Sequence, residues 1–548
     1  MKTILNFIFY FVLIVQLGYS QTTTWNGSTW DNGDPDATKD AIFNGNFTVN
    51  SGNLVCKNIQ INTGFSLVVA AGYAITCQEN ITIIAGASLL LDSDASSTPS
   101  GILLCKGICY GDVTLKRYYS GSKHHYLSVP VTGVPTSTFG ALGAPSVYNF
   151  FNFSEPIDHT PDPTTMAELG DGWIRVGTAG FAHGNLEVGK GYVEYDLSNK
   201  TLTFSGAITN NPVSLPLSFT PNDGITYDGH CLVGNPYTAP LDWNSPTIVK
   251  TNIDNSIYFY DGTQYASWNG TFGTNFGTQY IPAMQGFFVH ANGGSPVLTV
   301  STKDLVTNTQ NYWKSAQATN GFVRIKALNN VYADDAVVYF NPNGTAAFDA
   351  TGNDADALKN FGGTSAVPNI YSVLSDNTTL VSINSLPLID QVYSVNIGFK
   401  CDAGMFSFNL SENTFPAGAE IKLVDFVDGN TINFAQQKMY TFNHTGGQIN
   451  NRFRLTFRII PTSNEKLLNS QTTISFAQHD NIAIFKSENF DFKNSTFECY
   501  DMLGKQLVYN MLNVNSNQLE VSLKAPTGIY IARFTNGDKV QKKRFYFK

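Results

Sequence analysis

Short stretches in which apolar and polar residues alternate recur along the whole chain, and turn-forming Gly, Asn, Asp and Pro separate them. Alternation with a period of two predicts β-strands with one buried face, and the turn formers set where each strand ends. The segment from Asp354 to Asn360 is the one stretch with a helix-like pattern. The sequence therefore predicts an all-β protein, and a chain of 548 residues is long enough for several domains.

Residues 21–112 contain a weak internal repeat. Two copies of an apolar strand, a glycine and a second apolar strand follow each other at a shift of 22 residues: Ile59–Ile61, Gly64 and Ser66–Val69, then Ile81–Ile83, Gly86 and Ser88–Leu91. Units of this length bury their apolar side chains against the next copy. We predict a short β-solenoid. Trp25 and Trp30 either cover its open end or pack as ordinary apolar residues.

The middle of the chain predicts two further regions. Residues 113–315 form a glycine- and aromatic-rich, β-rich central domain, and residues 316–460 form a β-sandwich. Six alternating segments support the sandwich: Phe322–Lys326, Ala336–Phe340, Ser394–Phe399, Met405–Phe408, Glu420–Val424 and Arg452–Phe457. The polar residues 461–471 then read as a linker.

Residues 472–548 predict a small sandwich of their own. Seven short strands can be counted here, with turn formers such as Gly504, Pro526 and the pair Asn536 and Gly537 between them. That number and length of strands are typical of an immunoglobulin-like sandwich.

Three ordered motifs in this C-terminal region carry a family resemblance. They are Tyr500-Asp-Met-Leu-Gly-Lys505, Pro526-Thr-Gly-Ile-Tyr-Ile531 and a basic last strand, and together they resemble the type A sorting domain of type IX secretion. The resemblance implies that the domain is an export address read by the type IX secretion machinery. It would place the signal on Tyr500, Asp501, Gly504, Gly528, Tyr530, Lys543 and Arg544. As a plain structural alternative, the basic residues only protect an edge strand from pairing.

The N-terminus predicts a secretory signal peptide at residues 1–20. Lys2 is followed by an apolar run and a short neck, so cleavage between Ser20 and Gln21 is expected. The apolar run is shorter than a membrane span requires, and no later segment approaches that length. We therefore expect a secreted or outer-surface protein that passes through the periplasm and has no transmembrane segment after cleavage.

Composition narrows the classes of partner. Charged residues make up 14% of the chain, against about 25% in ordinary soluble proteins, and the net charge is −9. A negative chain without a basic patch repels phosphate backbones, so nucleic acid is not an expected partner. The seven cysteines are an odd number and lie mostly in strand-like runs, where they read as small core residues, with one or two disulfides left open.

No motif for catalysis, a metal or a cofactor is present. The histidines lack the spacing of a zinc protease, and no nucleophile elbow or phosphate-binding loop occurs. Two acidic clusters, Asp31 to Asp36 and Asp349 to Asp356, miss the calcium-loop spacing and are interpreted as solvated turns, with a looser oxygen cage for calcium as the alternative. We therefore predict no catalytic residues, no metal and no cofactor.

One loop contains rings that could contact a glycan. Tyr265, Trp268 and Phe272 lie in a polar, glycine-rich stretch, and they either stack on a sugar or pack down onto the sheet. The leading hypothesis is a non-catalytic adhesin or surface-layer component whose partners include surface glycans or the extracellular matrix. The alternatives are a secreted hydrolase acting on polysaccharide, and a carbohydrate-binding protein.

Overall fold

The computed structural model describes residues 21–95, 100–139, 149–155, 172–175, 184–221, 228–307, 321–352, 355–362, 364–388, 392–415, 419–434, 436–458, 474–487, 490–501, 504–537 and 539–548. These residues form β-strands and two short 3-10 turns, Thr136–Phe139 and Thr302–Asp304, without an α-helix, which confirms the all-β class. The chain divides into two compact units, Met1–Pro461 and Thr462–Lys548. The predicted signal peptide at residues 1–20, including Ser20, and the linker at 461–471 lie outside the described ranges.

The first strands build a three-sided stack. Their bounds are β1 Gln21–Trp25, β2 Lys39–Phe43, β3 Phe47–Val49, β4 Leu54–Cys56, β5 Ile59–Ile61, β6 Ser66–Val69, β7 Ala74–Cys77, β8 Ile81–Ile83, β9 Ser88–Leu91, β10 Ile102–Cys105 and β11 Cys109–Tyr110. One face runs β1-β2-β5-β8-β11, a second β4-β7-β10, and a third includes β3-β6-β9. All these strands pair in parallel, so the predicted β-solenoid is confirmed.

The predicted repeat is visible in the strand register. Ile59 lies opposite Ile81 and Leu67 opposite Leu89, and these inward side chains are buried. Gly64 takes the corner with a φ of +81°, a conformation that glycine adopts without strain. The face β4-β7-β10 was not predicted, and the shift of 22 residues holds only for one step of each of the other two faces, from β5 to β8 and from β6 to β9.

Two tryptophans pack at the first rung. The rings of Trp25 and Trp30 lie 5.6 Å apart; Trp25 contacts Phe47 and Trp30 contacts Phe43 edge-on. Both tryptophans are half-buried. They occupy the place that the end-cap interpretation assigned to them.

The central region continues directly from the stack. Its strands are β12 Val113–Tyr119, β13 Lys123–Ser128, β14 Asn149–Phe153, β15 Trp173–Arg175, β16 Gly191–Asp196, β17 Lys200–Gly206, β18 Val213–Ser214, β19 His230–Gly234, β20 Leu241–Asp242, β21 Val249–Thr251, β22 Ile253–Tyr260, β23 Tyr265–Trp268, β24 Gly273–Thr274, β25 Tyr280–Ile281, β26 Gly286–Ala291 and β27 Val297–Val300. β12 pairs in parallel with β9 and antiparallel with β17, so one solenoid face crosses position 112 without a break.

Two sheets of the central region position the site described below. One runs β13-β16-β14-β15 and the other β19-β26-β22-β23-β24. Their apolar faces share a buried cluster that includes Tyr126, Phe151, Tyr258 and Phe288. The same cluster takes in Tyr339 from the next region, so residues 113–315 and the following strands bury side chains together.

Residues 321–458 form one continuous sheet. Its strands are β28 Phe322–Leu328, β29 Ala333–Asn341, β30 Ala357–Leu358, β31 Asn369–Val373, β32 Leu380–Pro387, β33 Val392–Cys401, β34 Gly404–Asn413, β35 Glu420–Asp425, β36 Asn430–Asn433, β37 Met439–His444 and β38 Gly447–Arg458. The order is β36-β35-β38-β33-β31-β32-β29-β28-β34-β37, with β30 paired to β32. Phe408 of β34 and Phe453 of β38 are far apart in this order, yet their rings lie 4.8 Å apart. The sheet therefore folds over on itself and encloses one core, where the sequence predicted a sandwich.

The helix-like prediction for Asp354 to Asn360 is wrong over its described part. Ala357–Leu358 is the strand β30. The backbone N–H of Leu358 donates to the Tyr258 hydroxyl at 2.9 Å, and the N–H of Lys359 donates to the carbonyl of Leu380 at 2.8 Å. These contacts with distant parts of the chain replace the local bonds that a helix would need.

The C-terminal unit is a seven-stranded sandwich, as predicted. Its strands are β39 Ser475–His479, β40 Ile482–Lys486, β41 Thr496–Asp501, β42 Tyr509–Val514, β43 Gln518–Leu523, β44 Gly528–Asn536 and β45 Lys539–Phe547. They form the sheets β39-β40-β43-β42 and β41-β44-β45. Phe485, Phe497, Phe534 and Phe545 from both sheets meet in one core.

Candidate functional site

Asp501 and Gly504 of the candidate sorting motif build a tight turn. The N–H of Gly504 donates to the Asp501 carbonyl at 3.0 Å, and the N–H of Lys505 donates to the Asp501 carboxylate at 2.9 Å. Gly504 has a φ of +83°, which favours glycine, and no atom lies within 4 Å of where its Cβ would be. The turn therefore requires glycine for its backbone conformation and not for space.

Tyr530 fixes the second motif. Its side chain is buried, and its hydroxyl donates to the carbonyl of Pro526 at 2.6 Å. This bond ties the start of β44, where Gly528 lies, to the loop before it. A buried Tyr normally needs such a partner for its hydroxyl.

The separate motifs meet on one sheet. Tyr500 pairs across the strands with Ile531, and Ile531 pairs with Arg544, so these three residues form one cross-strand row. Asp501 and Tyr530 are opposite each other in the adjacent row. Arg544 is exposed and Tyr500 and Ile531 are half-buried, so this row presents polar and apolar atoms to solvent.

The last strand is held at its end by a side chain. The Gln478 amide donates to the carbonyl of Lys548 at 3.0 Å and accepts from its N–H at 3.0 Å. Lys543 lies opposite Ala532 and is half-buried, while Phe545 and Phe547 point into the core. Apolar anchoring and this amide bridge hold β45 in register, and its basic residues lie along the edge of the sheet.

Two of the three rings proposed as glycan contacts are core residues. Trp268 is 4% exposed, and its indole N–H donates to the Asn244 amide oxygen at 3.0 Å. Phe272 is fully buried and packs between Phe322 and Tyr339. Of the two alternatives for this loop, Trp268 and Phe272 take the second, because they pack inward onto the neighbouring sheet.

Tyr265, the third ring, lines a pocket of about 400 Å³. Its hydroxyl lies 2.6 Å from the hydroxyl of Tyr126, which is fully buried behind it. Desolvation, with Tyr265 beside it, holds the pKa of Tyr126 well above its usual value, so the Tyr126 hydroxyl stays neutral. The other lining residues are Phe153, Trp173, His230, Phe288, Leu358, Lys359, Asn360, Phe361, Thr378, Thr379 and Leu380.

The rings around this aromatic pocket hold one another in place. Phe153 packs edge-on against Trp173 at 5.0 Å and against Phe288 at 5.1 Å. Across the pocket, Phe361 packs edge-on against Tyr371, and the Lys400 ammonium lies 4.3 Å from the Phe361 ring centre. Edge-to-face packing of this kind is favourable and directional. The pocket is therefore largely preformed.

A rigid turn supplies the polar rim. The Asp376 carboxylate accepts from the hydroxyl of Thr379 at 2.5 Å and from the backbone N–H groups of Thr378 and Thr379. The hydroxyl bond, followed by the backbone bonds, lowers the pKa of Asp376 to about 2. Because the carboxylate stays ionised, the turn that carries the two threonines persists over a wide range of pH.

The charge of Lys359, the lysine of the pocket, is compensated by the buried carboxylate of Asp334. Lys359 Nζ lies 2.5 Å from Asp334 Oδ2, and both side chains are nearly inaccessible to solvent. Asp334 also accepts from the Asn275 amide and from the backbone N–H of Ile370. Burial raises the pKa of Asp334 and Lys359 opposes that shift. The pair therefore presents no net charge to the pocket.

The arrangement at the aromatic pocket does not suit glycoside hydrolysis. That reaction uses two carboxyl groups on either side of the bond, and no Asp or Glu is among the described residues that line the pocket. A smaller pocket of about 270 Å³ contains Asp261, Asp334 and Asp335. Asp261 accepts from the backbone N–H groups of its own turn, whereas Asp335 pairs with Arg324 at 3.0 Å, and Asp334 pairs with Lys359. These carboxylates act as structural braces.

The acidic clusters also act within turns. Asp31 accepts from the Thr24 N–H, and Asp356 accepts from the N–H groups of Asp349 and Ser385. Burial raises the pKa of Asp356 to about 7. Across the described ranges, no group of three or more His, Cys, Asp or Glu side chains is placed to hold a metal ion.

Comparison with known proteins shows which family the chain belongs to. Residues 18–457 match the family described as a domain of unknown function, DUF8693, and the chain belongs to that family. The match ends before the C-terminal unit. A curated relative, the minor fimbrium subunit Mfa5 of Porphyromonas gingivalis, is 23% identical over 274 residues, covering 44% of this chain and 22% of that protein. The chain thus spans about a fifth of the length of this relative.

Sequence reasoning found Tyr265 but missed the pocket around it. Phe153 and Trp173 come from β14 and β15, whereas Asn360 and Thr379 come from the loops around β30 and β32. These segments are separated by roughly two hundred residues, and only the folded sheets bring them together. The local signal available was a Thr-Thr pair after Asp376 and Asn377, which reads as an ordinary turn.

Proposed function

We propose that this chain is an exported, non-catalytic β-protein of the cell surface, acting as an adhesin or surface-layer component, with its C-terminal unit as the address for type IX secretion. The observation that carries the proposal is the convergence of three separated motifs on the sheet β41-β44-β45 of an independent compact unit. Tyr500 and Arg544 share one row of that sheet. A signal read as folded shape needs this kind of assembly.

The relative supports the surface role. That protein is by its name a fimbrium subunit, and a distant likeness over part of its length fits a surface location for this chain. The all-β architecture and the structural use of the buried carboxylates fit a protein that offers surfaces and binding sites in place of a reaction centre. The release or retention of the protein at the surface would follow from processing of the C-terminal unit.

Deletion of residues 466–548 tests the export address. The remaining chain should accumulate in the periplasm, as measured by fractionation and immunoblotting of the producing bacterium. If the truncated chain reaches the outside at the undiminished level, the C-terminal unit is not the address.

A pair of charge reversals separates recognition from folding. Arg544→Glu changes the exposed residue of the row, and Lys493→Glu makes the same change in charge at an exposed loop of the same unit. Export should fall for Arg544→Glu and stay normal for Lys493→Glu. In the purified full-length variants, the C-terminal unit should resist protease equally well. Equal export of both variants would leave no role for this row in recognition.

A further inference from the structure

The aromatic pocket is a site that neither the family nor the relative assigns. Its volume of about 400 Å³ lies within the 300 to 1,000 Å³ range that is typical of small-molecule sites. Five of its residues are aromatic rings: Phe153, Trp173, Tyr265, Phe288 and Phe361. Ring faces and edges of this kind suit a ligand with flat apolar C–H surfaces.

The charges around the pocket favour a neutral ligand. Lys359 is the one lining residue with a permanent charge among the described residues, and Asp334 compensates it at 2.5 Å. Without a carboxylate at the wall, a cation would gain only from the faces of the rings, and with the lysine already paired, an anion gains little. The ligand must then be recognised by stacking and by neutral hydrogen bonds.

Asn360 provides a donor that the fold does not use. Its side-chain nitrogen is closed off from solvent although the residue lines the pocket, and among the described residues it has no hydrogen-bond partner, so rotation of the amide would present the N–H group to a ligand. A buried amide N–H group without a partner costs free energy, which an acceptor on a bound ligand would recover. Thr378 and Thr379 also line the pocket, and the Thr379 hydroxyl, which donates to Asp376, can still accept a hydrogen bond.

From this geometry we infer that the aromatic pocket binds one or two rings of a neutral saccharide. The C–H faces of the sugar stack on Trp173 and Tyr265, a hydroxyl oxygen accepts from the Asn360 amide, and further hydroxyls meet the threonine rim. A sugar combines flat apolar faces with hydroxyl edges, as this lining does. The inference concerns the folded Met1–Pro461 unit and holds whatever the route of export.

Binding is tested on the full mature chain, residues 21–548, by saturation-transfer NMR with methyl glycosides of glucose, galactose, mannose, N-acetylglucosamine and xylose. At least one glycoside should bind, with the largest saturation transfer to the ring protons on one face of the sugar. Trp173→Ala should weaken the affinity for this glycoside about tenfold, the scale of losing one aromatic stacking partner. Trp173→Phe, which keeps a ring, should lose less. The matched control is Tyr110→Ala, which removes an exposed ring of the solenoid and should change nothing.

Asn360→Leu distinguishes a sugar from an apolar partner. Replacing an unpartnered buried donor by an apolar group of similar size should leave the melting temperature equal or higher, so loss of binding cannot be blamed on unfolding. Glycoside binding should fall at least about tenfold. N-acetylphenylalanine amide is the competing probe. If it binds and Asn360→Leu preserves or strengthens that binding while no glycoside binds, the pocket accepts apolar peptide side chains and the inference is wrong. Absence of binding by every glycoside also overturns it.

Discussion

The buried ion pair between Arg452 and Asp425 should be strongly sensitive to substitution. Arg452 Nε and Nη2 donate to the Asp425 carboxylate at 2.8 to 3.1 Å, and Nη2 also donates to Asp428 at 2.8 Å. The side chains of Arg452 and Asp425 are 4% and 1% exposed. The guanidinium further lies over the rings of Phe442 and Phe453. Arg452→Met keeps most of the apolar contact and removes the charge.

The expected cost follows from what the substitution leaves behind. Asp425 would keep its bonds from Tyr440 and from the backbone of Val427, but its charge would be buried without a partner. Breaking a buried pair in this way costs about 3–5 kcal/mol, whereas an exposed pair contributes about 0–1 kcal/mol. Arg454→Met is the matched control, because Arg454 is two residues further along the same strand and exposed. It should cost less than about 1 kcal/mol.

Native-state hydrogen exchange with mass spectrometry measures both variants in the full chain. Opening free energies of β35 and β38 should fall by about 3–5 kcal/mol in Arg452→Met. The double variant with Asp425→Asn should cost less than the sum of the single changes, because both charges are gone. If Arg452→Met and Arg454→Met lower these opening free energies equally, the pair does not stabilise the sheet as argued.

The pH dependence of this pair has a definite sign. Burial opposes ionisation of Asp425, but the hydrogen bonds from Arg452 and from the backbone outweigh it and hold the pKa of Asp425 below its usual value. A carboxyl with a depressed pKa in the folded state contributes stability above its unfolded pKa of about 4 and loses it as the pH falls further. The difference between the native chain and the double variant should therefore shrink on acidification below that pH.

Two other substitutions test single features. Gly504→Val should destabilise the C-terminal unit by about 1–2 kcal/mol in urea unfolding, since a β-branched residue resists the positive φ, while Gly504→Asn should cost less; equal losses would mean that φ is not the constraint. Desolvation lowers the pKa of Lys250 to about 7, so the unfolded chain binds more protons between pH 7 and 10.5 and stability should rise with pH there. Lys250→Met should lose that rise in a thermal-unfolding series, and an unchanged slope would contradict the assigned pKa.

Local alternation was sufficient to find most strands. Arg452–Phe457 and Ser394–Phe399 were predicted from their period of two and lie within β38 and β33. The seven C-terminal strands were found in the same way, because each lies between clear turn formers. The register of one pair of solenoid rungs was readable, because β5 and β8, and likewise β6 and β9, are 22 residues apart. In these cases every second residue of one short segment forms the buried face of the strand, so the pattern is visible locally.

The sequence did not predict which distant segments pair with each other. The short strand Ala357–Leu358 looked helical because its partners, the strand β32 and the Tyr258 hydroxyl, are remote in sequence. For the same reason Trp268 and Phe272 looked like loop rings until the neighbouring sheet was seen to cover them. The pocket needed Trp173 and Asn360 to be placed together, which no local pattern specifies.

The junction at β9, β12 and β17 links the making of the solenoid to later synthesis. β12 pairs with β9 on one side and with β17, Lys200–Gly206, on the other. A chain cut at residue 112 would leave the backbone N–H and C=O groups of β9 open to other molecules. The other edge of β12 therefore stays unpaired until Lys200–Gly206 has been synthesised, so the sheet that begins in the solenoid is completed only by residues of the central region.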